Sequence, residues 1–128
     1  MRILLADHHT EPRWALKAFL EEQPEFNLMG DAQDAQGLLL LAEKHTADLV
    51  LLDGALTGMD IEDLITRLHA LEPRPIVMVM SSDFEYSRVL LKVGADAFVS
   101  KVDQSDWLLK KLHYYAKQVK MEGGCEKK

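Results

Sequence analysis

Thiols are almost missing from this 128-residue chain: Cys125 is the only cysteine. No intrachain disulfide can form, no thiolate metal site is available, and the usage fits a reducing cytosol. Basic charge is scarce as well, with 15 Lys+Arg against 21 Asp+Glu and a net charge of -6. A surface that tracks nucleic-acid phosphates needs the opposite balance. The lysines that do gather (Lys110, Lys111, Lys117, Lys120, Lys127 and Lys128) belong to the last helical pattern and the tail, where they read as a solvated face. No apolar run is long enough to cross a membrane or act as a signal peptide, since the opening "ILLA" is closed at once by Asp7. A soluble, cytoplasmic protein is expected. The segment after that opening, "DHHTEP", has no glycine, which excludes the usual phosphate loop of a flavin or dinucleotide carrier. Internal repeats and low-complexity tracts are absent too.

The length allows one hydrophobic core. Residues 2–120 are expected to form a single domain, with "MEGGCEKK" (121–128) as a flexible tail or truncated linker. Five short apolar runs, "RILLA" (2–6), "FNLMG" (26–30), "ADLVLL" (47–52), "PIVMVM" (75–80) and "AFVS" (97–100), alternate with longer amphipathic segments. Ile61, Leu64, Ile65, Leu68 and Leu71 recur at helical spacing, as do Leu108, Leu112, Tyr115 and Val119. Pro24, Pro73, Pro75 and Gly94 punctuate helix ends, and Ser105 is a candidate cap for the fifth helix. Strands joined through single helices run parallel, so the class is α/β with helices on both faces of a five-stranded parallel sheet. Runs one, three and four are almost continuously aliphatic, as central strands covered on both faces should be, which favours the flavodoxin-like order 2-1-3-4-5.

Ligands of such sheets bind beyond the carboxyl ends of the strands. Asp7, His8, Asp31, Asp53, Ser81, Ser82 and Lys101 fall there. Two carboxylates, a hydroxyl and an ammonium suit metal-assisted phosphoryl transfer to an aspartate nucleophile, whose charge must be neutralised by cations and fixed donors.

These residues resemble the receiver domain of two-component response regulators, over essentially residues 2 to 120. "LVLLDGALTGMD" is similar to the family's phosphoacceptor segment, with Asp53 as acceptor and Gly58, Met59 and Asp60 following. "GADAFVSK" resembles the last strand, with Lys101 as the lysine and Phe98 as the switch aromatic. "VMVMSS" resembles the strand ending in the switch hydroxyl, for which Ser81 is preferred and Ser82 kept open, and "LLADHH" is similar to the "LLADDH" of receivers attached to helix-turn-helix output domains. The resemblance implies a phosphoacceptor signalling domain rather than an enzyme, limited to its own phosphotransfer and autodephosphorylation. It also implies a histidine kinase as phosphoryl source, an output domain or partner protein, and a possible homodimer through the face of helix four, strand five and helix five. Direct nucleic-acid binding by this chain and membrane association are not expected. Mg2+ is the implied cofactor, held by Asp7, Asp53 and the backbone carbonyl of Ala55.

The sequence departs from the pattern at His8, which stands in place of the second, usually metal-ligating acid, so magnesium binding is expected to be weakened. Thr57 and Ile61 replace a common proline and glycine of the loop. A degenerate receiver acting as an interaction module without phosphorylation is the alternative. A haloacid-dehalogenase-like phosphatase would need an acid two residues after Asp7, where His9 stands. A zinc pair of His8 and His9 is disfavoured, because adjacent side chains are expected to diverge and no other ligand is indicated. His45, His69 and His113 are expected to face solvent, and Met78 and Met80 to fill core.

Overall fold

The alternation of runs and helices is realised as β1 (Arg2–Ala6), α1 (Thr10–Glu21), β2 (Asn27–Ala32), α2 (Ala35–Lys44), β3 (Leu49–Asp53), α3 (Ile61–His69), β4 (Ile76–Ser81), α4 (Tyr86–Lys92), β5 (Ala97–Ser100) and α5 (Ser105–Glu126). The structure is a computed structural model that describes residues 1–82, 86–101 and 105–126, the side chains of 86, 87, 105 and 120–126 excepted. The expected cap at Ser105 lies outside the described side chains, and of the expected tail at 121–128 the described backbone, 121–126, continues α5. All five strands are parallel, in the order β2-β1-β3-β4-β5.

Strand side chains alternate between the two faces of a sheet, and here each face has its own core. Leu4, Val50, Leu52, Val77 and Val79 join Leu38 of α2, Leu64 and Leu68 of α3 and Leu90 of α4 on one side. Ile3, Leu5, Leu49, Leu51, Met78 and Met80 join Leu20 of α1 and Leu108 and Leu112 of α5 on the other. β3 is buried along its whole length. Each fully buried leucine in such a strand contributes about 1.5–3 kcal/mol through area removed from water. The central strands therefore form a stiff platform, and the residues at their carboxyl ends inherit that stiffness.

The limits of β2, β3 and β4 differ from the sequence reading, β4 running Ile76–Ser81 rather than 75–80 and β3 ending at Asp53 rather than at 52. β2 covers Asn27–Ala32 rather than 26–30, because Phe26 packs into the core before the strand starts while Asp31 and Ala32 pair with Leu5 and Ala6. β3 begins at Leu49 rather than at 47, since Asp48 spends its backbone and carboxylate on Arg2: the Arg2 amide donates to Asp48 Oδ2 at 2.7 Å and the Asp48 amide to the Arg2 carbonyl at 2.9 Å. His69 corrects an expectation. Its side chain is only 14% exposed and its Nε2 lies 2.7 Å from Asp96 Oδ2, because α3 ends beside the turn into β5. The other two histidines stay partly exposed, and Met78 and Met80 are buried as expected.

Candidate functional site

Three strand ends meet at the carboxyl edge of the sheet. Asp7 follows β1, and its amide donates to the Ala32 carbonyl of neighbouring β2 at 3.0 Å. Asp53 closes β3, and the next amide, Gly54, donates to the Met80 carbonyl of β4 at 2.7 Å. Lys101 follows β5, and its amide donates to the Ser81 carbonyl at 2.9 Å. Ladder hydrogen bonds thus carry on past the strands and hold the three loop entrances together. The carboxylates of Asp7 and Asp53 are 2% and 4% exposed.

Lys101 bridges the two acids. Its Nζ donates to Asp7 Oδ2 at 3.1 Å and stands 3.0 Å from Asp53 Oδ2, close enough for an ion pair but not aligned as a hydrogen bond. Asp53 Oδ1 accepts the Ala55 amide at 3.1 Å. Burial pushes the Asp7 carboxyl up, but the His9 amide donating to its Oδ1 at 2.9 Å, the hydrogen bond and charge of Lys101, and the contact with Asp53 outweigh that and hold its pKa below the usual carboxylate value. Asp7 is therefore a carboxylate at neutral pH.

The two imidazoles correct a second expectation. Instead of diverging, the rings of His8 and His9 pack with centroids 3.8 Å apart. His8 Nδ1 lies 3.7 Å from Asp53 Oδ2, while His9 Nδ1 lies 3.3 Å from Asp7 Oδ1 and 3.8 Å from Asp53 Oδ2. The divergence argument holds for a strand, where neighbours face opposite ways. Here the chain turns out of β1 into α1, and His9 is the extended N-cap residue of that helix, which folds its ring back over Asp7. Both imidazoles thus bring a nitrogen within 4 Å of the two acids.

Arg13 is the residue the sequence reading missed. It lies buried in the first turns of α1, donates from Nη1 to the Asp7 carbonyl at 2.8 Å and pairs through Nε with Asp31 at 3.1 Å. The available signal was its position four residues after His9, one helical turn from the loop it braces. Asp31 is accordingly engaged with Arg13 and Lys17, away from the two central acids. Ser81 is buried at the end of β4, level with Ser100, and Ser82 is exposed. Phe98 is half-buried on β5, and its carbonyl accepts a hydrogen bond from Lys111 Nζ of α5.

Under the loop, Gly58 adopts φ +102°, a region open to glycine, and its carbonyl accepts Gln36 Nε2 at 2.6 Å. The Ala35 amide donates to the Thr57 carbonyl at 2.9 Å. The loop after Asp53 is thereby tied to α2 at two successive residues.

As a donor set, the pocket suits magnesium only in part. Asp7 and Asp53 bring oxygens, which that ion prefers, whereas His8 and His9 bring nitrogens, which it does not.

The family model described as response regulator receiver domain matches residues 3–113. The nitrate/nitrite response regulator protein NarL of Escherichia coli (strain K12) is 33% identical over 116 residues, which cover 89% of this chain and 54% of that protein. The transcriptional regulatory protein LiaR of Bacillus subtilis (strain 168) is 29% identical over 107 residues, 82% of this chain and 51% of that protein. The chain spans about half the length of these curated relatives. Among solved structures, the signal receiver domain of NarL from Mycobacterium tuberculosis superposes with a TM-score of 0.81 at 25% identity, covering 91% of this chain and 95% of that one.

Proposed function

The chain belongs to the response regulator receiver domain family, and from that premise we propose that Asp53 is the residue that accepts the phosphoryl group. The domain is a receiver of two-component signalling, which works through phosphorylation. The observation that carries the assignment is the pairing of a buried strand-end carboxylate, Asp53, with the Lys101 ammonium at 3.0 Å.

In the proposed step an Asp53 carboxylate oxygen attacks phosphorus and forms an acyl phosphate while the bond from phosphorus to the donor breaks. With a phosphohistidine of a kinase as donor, the leaving imidazole takes up a proton; with acetyl phosphate, acetate leaves. Lys101 offsets charge on the transferring oxygens as a compact cation, and Ser81, at the end of the adjacent strand, is the hydroxyl proposed to hold one of them. Phe98 then follows the rearrangement of the β4 end, passing the signal to the α4-β5-α5 face. Leu91, Trp107 and Tyr114 are 50%, 56% and 58% exposed there, and that surface is the proposed contact for an output domain, a partner or a second copy. A histidine kinase is the proposed phosphoryl source, and no chemistry beyond phosphotransfer and its own dephosphorylation is assigned to the chain. Receivers bind magnesium at an acidic pocket. Here Asp7, Asp53 and the Ala55 carbonyl are the oxygens proposed for it, with His8 weakening the site. Asp53 and Lys101 standing together favour phosphorylation over a phosphorylation-independent module. Direct nucleic-acid binding is not assigned to this acidic chain, and no helix among the described residues is long and apolar enough to cross a membrane.

Mass spectrometry after treatment with acetyl phosphate and magnesium tests the assignment. One added phosphoryl group is expected on the wild-type chain and none on Asp53→Asn; label persisting in that variant refutes it.

A further inference from the structure

We propose that the Asp7–His8–His9–Asp53 pocket is a site for a divalent transition metal of the zinc, cobalt and nickel class, which it binds in preference to magnesium. Each of the four residues offers a ligating atom within 4.8 Å of the other three, a grouping of two imidazole nitrogens and two carboxylate oxygens. A metal with bonds of about 2.0–2.2 Å to nitrogen and oxygen holds tetrahedral ligands roughly 3.3–3.6 Å apart. The separations present are 3.3 Å for His9 Nδ1 to Asp7 Oδ1, 3.7 Å for His8 Nδ1 to Asp53 Oδ2 and 3.8 Å for His9 Nδ1 to Asp53 Oδ2. The remaining pairs lie within 4.8 Å, so closing the shell takes side-chain shifts of up to roughly 1 Å.

A second observation concerns the same atoms. His8 Nδ1 and Asp53 Oδ2 are buried and neither makes a hydrogen bond among the described residues; the Lys101 ammonium at 3.0 Å offsets the charge on Asp53 Oδ2, whereas His8 Nδ1 carries a desolvation cost that a metal bond would relieve. The donor set points the same way. Two of its four ligating atoms are nitrogens, which a hard cation that depends on oxygen ligands uses poorly. A borderline metal gains instead from bonds to nitrogen.

This inference deepens the phosphoacceptor reading of the same pocket, but its test uses metal alone and no phosphoryl donor. Zinc chloride and magnesium chloride are titrated calorimetrically into the wild-type chain, His8→Asp and His9→Ala, and repeated in a Cys125→Ser background to remove the chain's one thiol. Cobalt(II) serves as a spectroscopic probe of four-coordinate geometry. The expected result is one zinc ion bound at least about tenfold more tightly than magnesium, with zinc affinity falling at least about tenfold in each histidine variant, the loss known for disturbing even an outer partner of a metal-bound histidine. Intense visible cobalt bands in the wild type should be lost in His9→Ala. Zinc binding unchanged in both histidine variants, or zinc no tighter than magnesium, overturns the proposal. Failure of Asp53 labelling would leave these titrations unaltered, so the two readings fail separately.

Discussion

Arg13 is bonded to Asp7 across the first loop: its Nη1 donates to the Asp7 carbonyl at 2.8 Å while its Nε reaches Asp31 at 3.1 Å. The bond is buried and joins the first turns of α1 to the end of β1, so the guanidinium sets where the loop carrying Asp7, His8 and His9 leaves the sheet. Arg13→Met keeps the aliphatic volume but strands the carbonyl and, among the described residues, leaves Asp31 with Lys17 as its ion-pair partner. A loss of about 1–3 kcal/mol in stability is expected, the range for removing a buried hydrogen bond with a charged donor. Urea denaturation with an unchanged m-value checks it.

His8→Asp restores an oxygen at the pocket edge. Magnesium affinity is expected to rise on the order of tenfold, as carboxylate count dominates binding of hard cations, and labelling by acetyl phosphate should become faster. His8→Ala should bring no such rise, because it removes the imidazole without supplying an oxygen. Equal magnesium affinity in wild type and His8→Asp would show that residue 8 does not reach the cation.

Gly58→Ala tests the loop beneath the acceptor. The added Cβ would sit 2.2 Å from Gln36 Oε1, at a φ of +102° that a side chain rarely adopts. Thermal or urea unfolding should show a loss of about 1–3 kcal/mol. In Gln36→Ala the steric part disappears and the backbone part stays, so Gly58→Ala is expected to cost less in that background but still to destabilise. An unchanged cost would place the whole penalty in the backbone.

Tyr115 makes stability depend on alkaline pH. Burial, then the negative charges of Asp96 and of ionised Tyr114, raise its pKa above 10.0 in the folded state. The unfolded chain therefore ionises first. The stability Tyr115 contributes is full below pH 10.0 and falls as the pH rises through the higher folded value. In Tyr115→Phe this component of the alkaline loss should vanish, which urea melts on either side of pH 10.0 would show.

The five-run alternation, the parallel α/β class, the strand order and the strand-end positions of Asp7, Asp53, Ser81 and Lys101 were all legible in the sequence. The reason is physical: central parallel strands are covered on both faces and so read as aliphatic runs, and the first polar residue after each run marks the edge where ligands bind. Edge-strand limits were less legible. Phe26 is as apolar as a strand residue but serves as packing, and Asp31 is polar yet pairs in the ladder with Leu5, so pairing partners rather than composition decided where β2 lies.

Tertiary structure alone decided how the polar side chains meet. Arg13 and Asp31 lie 18 residues apart, and His69 and Asp96 lie 27 apart, and neither pair follows a local period. Each exists because a helix docks against a particular strand end. The convergence of His8 and His9 on the two acids belongs here too, since it depends on the turn from β1 into α1, which strand periodicity does not describe. Sequence determined which residues reach the carboxyl edge of the sheet, because burial along a strand is written in its hydrophobic pattern. The docking of α1 decided that two imidazole nitrogens face the acids there, because side-chain direction in a loop follows backbone turns that only the packed chain sets.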